Sequence, residues 1–265
     1  MKIDGDLAEL MGIHIGDGCI SVNDRYSEYY LGGDLTQEKE YHDTWVGPLF
    51  NKTIMIPLFN KKVVYKEHPK VGVYGFYIFN KELVGFFNKL GIKSGSKINV
   101  RIPESIMNDE KLSKRFLRGL YDTDGTIYFN KNYSAKNPIH NRPKIKMDSV
   151  SKGLIDDVSK LLVNLKLDPR PRKVYQGKRN KNPAYGVIID KISRVKLFLK
   201  IIGFKNSKHY TKWAIFKKQG FCPPHTSLQQ RKEILVNQKN NAPPHTKVWG
   251  LNGVCFLDAQ SATPH

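Results

Sequence analysis

Two aspartates, Asp17 and Asp124, close nine-residue segments of one design about a hundred residues apart: Leu10-Met11-Gly12-Ile13-His14-Ile15-Gly16-Asp17-Gly18 and Leu117-Arg118-Gly119-Leu120-Tyr121-Asp122-Thr123-Asp124-Gly125. Each reads as a helix ending in Asp-Gly. Gly12 with Gly16, and Gly119 with Thr123, leave a bare stripe at i, i+4 spacing, so the two helices can pack with their backbones nearly touching. Gly18 and Gly125 fall where a helix C-cap favours positive φ, which delivers the preceding Asp at the helix tip rather than along its side. Pairing the helices brings Asp17 and Asp124 together at the negative ends of two helix dipoles, where they repel and call for a cation. A divalent metal is the natural candidate. His14 and Tyr121 share one register inside the segments, which assigns both to packing.

The elements that must position these acids are also duplicated. Each half reads as motif helix, two strands, helix, two strands, helix. In the first half the spacing predicts strands near Cys19 to Asn23, Tyr29 to Gln37, Lys61 to Lys66 and Gly72 to Asn80; Tyr74, Phe76 and Ile78 alternate as in a half-buried sheet. In the second half strands are expected near Thr126 to Asn130, Lys144 to Ser151, Arg170 to Gln176 and Ala184 to Asp190. Helices are expected around Glu38 to Lys52, Lys81 to Leu90, Lys152 to Leu165 and Lys191 to Ile201. After each closing helix comes a matching stretch, Gly91-Ile92-Lys93-Ser94-Gly95-Ser96-Lys97 and Gly203-Phe204-Lys205-Asn206-Ser207-Lys208. The period is roughly 110 residues, the scale of repeated domains rather than of a solenoid. The chain therefore divides into repeats at 1–112 and 113–220 and an extension at 221–265.

The two segments resemble the paired motifs of a LAGLIDADG homing endonuclease of the single-chain, two-repeat kind. The second copy is the closer match; the first has Ile15 where the family carries an additional acid. The resemblance implies an α+β fold of two pseudo-symmetric αββαββα repeats, each with an antiparallel, saddle-shaped DNA-binding sheet, joined through the motif helices. It implies site-specific double-strand cleavage by metal-dependent phosphodiester hydrolysis that promotes intron homing. Asp17 and Asp124 would hold the ions, helped by the carbonyls of Gly16 and Thr123. Oxygen ligands of this kind suit Mg²⁺, with Mn²⁺ as a substitute. The family places a lysine near the scissile phosphate at the positions of Lys97 and Lys208, with Arg101, His209 and Lys212 as neighbouring alternatives. Gln37, with Ser151 as its counterpart by register, matches a polar residue held over the metal and its water; the other reading of Gln37 is a helix N-cap.

Charge distribution points to the same partner. Residues 1–125 carry 17 basic and 17 acidic side chains, whereas residues 126–220 carry 23 basic and 5 acidic, nearly all of the net +20. Arg142, Lys144, Lys146, Arg170, Arg172, Lys173, Lys178, Arg179 and Lys181 fall on the predicted strands and loops of the second repeat, an electrostatic footprint for a polyanion. A β-ribbon fits the major groove, where alternate side chains reach base edges, and Arg142, Lys144 and Lys146 have that spacing. In the first half Asn23, Arg25, Tyr29, Lys61, Lys62, Lys66 and Tyr74 could serve. The second repeat is expected to anchor double-stranded DNA and the first to discriminate more gently.

Three scattered cysteines exclude a disulfide framework, and no charged-then-apolar leader or membrane-length apolar run is present. The expectation is an intracellular monomer without membrane contact. Pro223-Pro224-His225-Thr226 recurs as Pro243-Pro244-His245-Thr246 around a short helical stretch, marking 221–265 as an appended arm; Cys222, His225, His245 and Cys255 match no compact zinc finger. No protein-splicing elements are visible around the core, which points to a free-standing or intron-encoded enzyme. Two rivals use the same scaffold: a maturase that binds its host intron RNA, and a DNA-binding regulator that does not cut. Survival of both Asp17 and Asp124 counts against each.

Overall fold

A computed structural model of the chain describes residues 2–134, 139–174 and 183–240. The first motif helix, Gly5–Asp17, is capped by Asp4, whose side chain accepts from Leu7 N at 2.8 Å. It runs directly into β1 (Gly18–Val22) and β2 (Ser27–Asp34). Residues 39–59 form a helical run with two π turns, His42–Val46 and Asn51–Met55. Pro48 and Pro57 follow these turns closely, and each lacks the N–H that a regular i→i−4 bond needs. The run ends at Asn60 in the left-handed region, φ 49°. Next come β3 (Lys66–His68), β4 (Val73–Phe79) and a helix, Lys81–Lys89.

The second repeat copies this order. Its motif helix, Glu110–Thr123, is capped by Asp109 and leads into β5 (Gly125–Lys131) and β6 (His140–Ser149). The helix Lys152–Asn164, β7 (Arg170–Lys173), β8 (Tyr185–Ile189) and the helix Ile192–Ile201 complete it. Helices Ser207–Gln219 and Leu228–Asn240 follow. The two sheets have equivalent antiparallel orders, β1-β2-β4-β3 and β5-β6-β8-β7. This is the α+β, two-repeat architecture expected from the duplication.

The motif helices meet as closely as their glycines allow. A Cβ on Gly12 would lie 2.1 Å from Phe116 O, and one on Gly119 would lie 2.1 Å from Glu9 O. Leu10, Met11 and Ile13 interleave with Phe116, Leu117 and Leu120 in one core that spans both repeats. Buried Glu9 ties the two helices and Trp45 together, accepting from Arg118 Nη2 at 2.6 Å and Trp45 Nε1 at 2.7 Å and lying in an ion pair with Arg115 at 2.8 Å. The segment before the second motif helix is pinned to the second repeat by Arg101, which grips Asp157 with Nε at 2.7 Å and Nη2 at 2.6 Å.

Two expectations are corrected. Gly18 is extended, with φ −84° and ψ 159°, and Gly125 is not among the glycines of positive φ. Space, not φ, requires these glycines: a Cβ on Gly18 would lie 2.2 Å from His14 Nδ1, and one on Gly125 would lie 2.5 Å from Tyr121 O. Second, β3 begins only at Lys66, because the preceding helix persists to Phe59; Lys61 and Lys62 are exposed in the connecting loop. The described part of the extension, expected as an appended arm, packs against the rest of the chain. Cys222, Leu228 and Arg231 are buried, and Cys222 N donates to His140 O at 3.0 Å. Among the described residues no helix is long and apolar enough to cross a membrane.

Candidate active site

Asp17 ends the first motif helix and Asp124 follows the last residue of the second. The small residues at the helix tips make their approach possible: a Cβ on Gly16 would lie 2.0 Å from Thr123 Oγ1 and 3.5 Å from Asp124 Cγ. Asp17 Oδ2 is shielded from solvent and has no hydrogen-bond donor. Burial holds the Asp17 carboxyl well above its ordinary pKa, and the charges of Glu38 and Asp124 push it further. Asp124 is raised as well, by desolvation against the opposing pull of Lys97 and Lys208, with Glu38 adding to the rise. Two crowded carboxylates with raised pKa values form a pair whose charge a nearby cation would relieve.

Lys97 and Lys208 stand in pseudo-symmetric positions. Lys97 Nζ donates to Gly16 O, and Lys208 Nζ donates to Thr123 O at 3.2 Å. Each ammonium thus holds the carbonyl immediately before one of the two acids. Lys208 Nζ also donates to Glu38 Oε1 at 2.5 Å, a pair that crosses between the repeats.

Glu38 occupies the place expected for Gln37. Asp34 Oδ1 accepts from both Thr36 N and Gln37 N at 2.9 Å, a tight turn that leaves Gln37 exposed and swings the next residue inward. Buried Glu38 accepts from Asp34 N at 2.8 Å, Asn206 Nδ2 at 3.0 Å and Lys208 Nζ. Ser151, the counterpart of Gln37 by register, is a helix cap: its Oγ accepts from Leu154 N and donates to Val100 O. Asp122 is a second residue that spacing did not single out. Fully buried, it accepts from Lys205 N and Asn206 N at 3.0 Å and so folds the loop that delivers Lys208. Burial lifts its pKa to about 7 despite those bonds. Ile15 holds this position in the first motif, and the two lysine loops accordingly differ.

The neighbouring alternatives are occupied elsewhere. Arg101 is committed to Asp157. His209 is buried against Phe204, and Lys212, brought down to about 8 by burial, donates to Ile127 O at 3.3 Å. His14 is stacked between Tyr29 and Phe87 at 5.2 Å from each, and burial lowers its pKa to about 3, so it is a neutral packing group.

Cross-strand pairing places Arg142, Lys144 and Lys146 on β6, and Arg170 and Arg172 on β7, on one outward face with Tyr128. Asp148 pairs with Arg172 at 2.6 Å and Lys146 at 3.0 Å, while Arg170 pairs with Asp190. Lys173 is at the end of β7; Lys178, Arg179 and Lys181 lie outside the described residues. On the first sheet Lys66 faces outward with His68, Tyr30 and Tyr77. Tyr29 and Tyr74 do not. Tyr29 is a core residue stacked on Phe87 at 4.6 Å, and Tyr74 is buried against Tyr65 with its hydroxyl donating to Asp43 Oδ1 at 2.5 Å. Arg25 is exposed in the β1–β2 turn, where Asn23 Oδ1 accepts from Arg25 N and Tyr26 N.

Of the donors at the helix tips, the two carboxylates, one with an unpartnered oxygen, suit a hard divalent cation, while the flanking Gly16 and Thr123 carbonyls are taken by the Lys97 and Lys208 ammoniums. Among the described residues no group of three or more His, Cys, Asp and Glu is arranged for a metal, so the donor set would be completed by solvent or substrate oxygen.

A family model described as a LAGLIDADG-like domain matches residues 111–203. The replication factor C small subunit of Methanocaldococcus jannaschii is 26% identical over 207 residues, 78% of this chain and 10% of that protein. A DNA polymerase of Thermococcus litoralis is 30% identical over 155 residues, 58% of this chain and 8% of that protein. The chain therefore spans about a tenth of the length of the curated relatives it matches. Among solved structures, I-DmoI in complex with DNA and Mn is 22% identical with a TM-score of 0.51, covering 75% of this chain and 96% of that one. The I-LtrWI LAGLIDADG homing endonuclease bound to target DNA is 13% identical with a TM-score of 0.54, covering 91% of this chain and 99% of that one. At these identities the structural likeness establishes the fold.

Proposed function

We propose that this chain, which carries a LAGLIDADG-like domain and the two-repeat fold of the LAGLIDADG homing endonucleases, is itself a metal-dependent, site-specific DNA endonuclease that cuts both strands. The observation that carries this reading is the convergence of Asp17 and Asp124, with their raised carboxyls, at the tips of helices in which Gly12 and Gly119 each pack against the other helix's backbone. The site serves two strands because the repeat supplies each of its groups twice: an acid, a carbonyl and a lysine.

Divalent ions held by Asp17 and Asp124 would lower the pKa of the attacking water and neutralise charge on the leaving oxygen, with Mg²⁺ the expected metal and Mn²⁺ a substitute. Lys97 and Lys208 orient the Gly16 and Thr123 carbonyls and supply positive charge where phosphate charge builds up. Glu38 holds Lys208 in place and, through Asn206, ties it to the opposite repeat. The outward faces of the two sheets bind the duplex, the second chiefly through charge and the first through Lys66, His68, Tyr30 and Tyr77. Both halves of the site lie on one chain, so a monomer suffices. The homing of an intervening sequence is the biological role this reading supports.

Two results are expected here. Replacing Arg142 and Lys144 together by Gln should lower the salt slope of DNA affinity by about 2, because each phosphate contact contributes roughly 0.9 to that slope. Equal loss from charge-removing changes on the first sheet would remove the assigned asymmetry. Glu38→Ala should slow single-turnover cutting by about 10- to 100-fold through misplacement of Lys208, with DNA affinity kept. Filter binding beside cleavage kinetics separates the two effects. The reading as a whole is tested by incubating the purified chain with a partly randomised duplex in Mg²⁺ and then in chelator. Cutting that disappears with chelator while binding persists supports it; tight binding to structured RNA with no cutting in any metal supports the maturase instead.

A further inference from the structure

Lys208 is held from behind as well as from the active site. Arg231, on the extension helix Leu228–Asn240, is the largest of the fully buried side chains among the described residues. A buried guanidinium is unfavourable unless its donors are satisfied. Nε donates to Thr211 Oγ1 at 3.0 Å, Nη1 to Thr226 O, and Nη2 to Lys208 O at 3.3 Å. Thr211 Oγ1 in turn donates to Ser207 O at 2.6 Å. Apart from the bond to Thr226, these contacts converge on the first turn of the helix that carries Lys208. One residue further along, Lys232 Nζ pairs with Glu40 Oε2 at 2.7 Å, two residues past Glu38 on the first repeat. A single helix thus ties down both partners of the Lys208–Glu38 pair. The Lys97 loop is built differently: a single 3₁₀ turn, Lys97–Asn99, follows it, and Arg101 anchors it through Asp157.

We propose that the extension helix positions Lys208, with Arg231 as the positioning residue, and thereby controls the cut on one strand independently of the other. The inference rests on the endonuclease reading above. Its test uses the full chain with Arg231→Met, Arg231→Lys and Thr211→Val, and follows each strand of an end-labelled target separately. Arg231→Met should slow one strand by about 10- to 100-fold, with nicked duplex accumulating, because small misplacements of a reacting group cost that much. The other strand and the DNA affinity should be little changed. Thr211→Val should slow the same strand more mildly, and Arg231→Lys should recover part of the rate. Parallel slowing of both strands, or no slowing in a variant that melts cooperatively, overturns the proposal. If Arg231→Met does not fold, Thr211→Val decides. A second readout is independent of cutting: acylation of Lys208, followed by mass spectrometry, should speed up in the Arg231 and Thr211 variants while that of Lys97 does not. Unchanged Lys208 labelling rejects the clamp even if the wild-type chain cuts no DNA, an outcome that would count against the endonuclease reading separately.

Discussion

Asp17→Asn and Asp124→Asn are each expected to lower single-turnover cleavage by about 10³-fold or more, the scale of losing a metal ligand or a central electrostatic group. DNA affinity should be kept or improved, since each change removes a negative charge beside the phosphates. The same variants carry a stability prediction of opposite sign. Both carboxyls have folded-state pKa values raised above the ordinary 3.8, with burial the leading cause. The folded state therefore binds their protons more tightly than the unfolded chain does. Their ionisation costs stability, and that cost grows as pH rises from the unfolded pKa through the raised folded one. At neutral pH and without divalent ions, Asp17→Asn should melt higher than wild type. Mg²⁺ should raise the melting temperature of wild type and leave the Asp17→Asn, Asp124→Asn double variant unmoved. A variant that melts lower, or a double variant still stabilised by Mg²⁺, would mean that these acids are not the cation site.

Gly12→Ala and Gly119→Ala should each destabilise the fold by about 3 kcal/mol or more, the upper range for overpacking a rigid contact. In both positions the added carbon meets a backbone carbonyl oxygen at 2.1 Å, and backbone cannot swing aside as a flexible side chain does. The helices would separate and take the two acids with them, so any folded remainder should also cut poorly. Gly85→Ala is the control. That glycine sits inside the helix Lys81–Lys89 with nothing within 4 Å of its added carbon, and alanine there should stabilise by about 0.5–1 kcal/mol. Denaturant titration of the three variants reads the contrast directly; equal effects at Gly12 and Gly85 would reduce the interface to ordinary helix propensity.

The parts of this molecule that could be read from sequence are those encoded by spacing. Duplication fixed the order of elements, and the i, i+4 stripe at Gly12 and Gly16 identified the contact between the helices. The repeated closing stretch led to Lys97 and Lys208. What spacing could not decide was which of two adjacent residues faces the site. Tyr29 and Tyr30 are neighbours on β2, as are Phe76 and Tyr77 on β4, and a one-residue slip reverses the face of every side chain. The inward set Tyr74, Phe76 and Ile78 was visible as an alternation, yet Tyr74 carried a hydroxyl that suggested the opposite face. Gln37 and Glu38 posed the same problem, decided by a turn around Asp34 whose hydrogen bonds leave no trace in periodicity. The roles of Asp122 and Arg231 were hidden for another reason: both act through backbone groups far away in sequence, and the partners of such bonds exist only after folding.

The central claim is that one chain cuts both strands of a particular duplex sequence through the paired acids. Sequencing the ends that the wild-type chain releases from a partly randomised duplex library in Mg²⁺ tests it most directly, with Asp17→Asn and Asp124→Asn in parallel. The expected ends converge on a single target with breaks in both strands and are absent from both variants. Scattered ends without a shared sequence, or identical ends from wild type and variants, would contradict it.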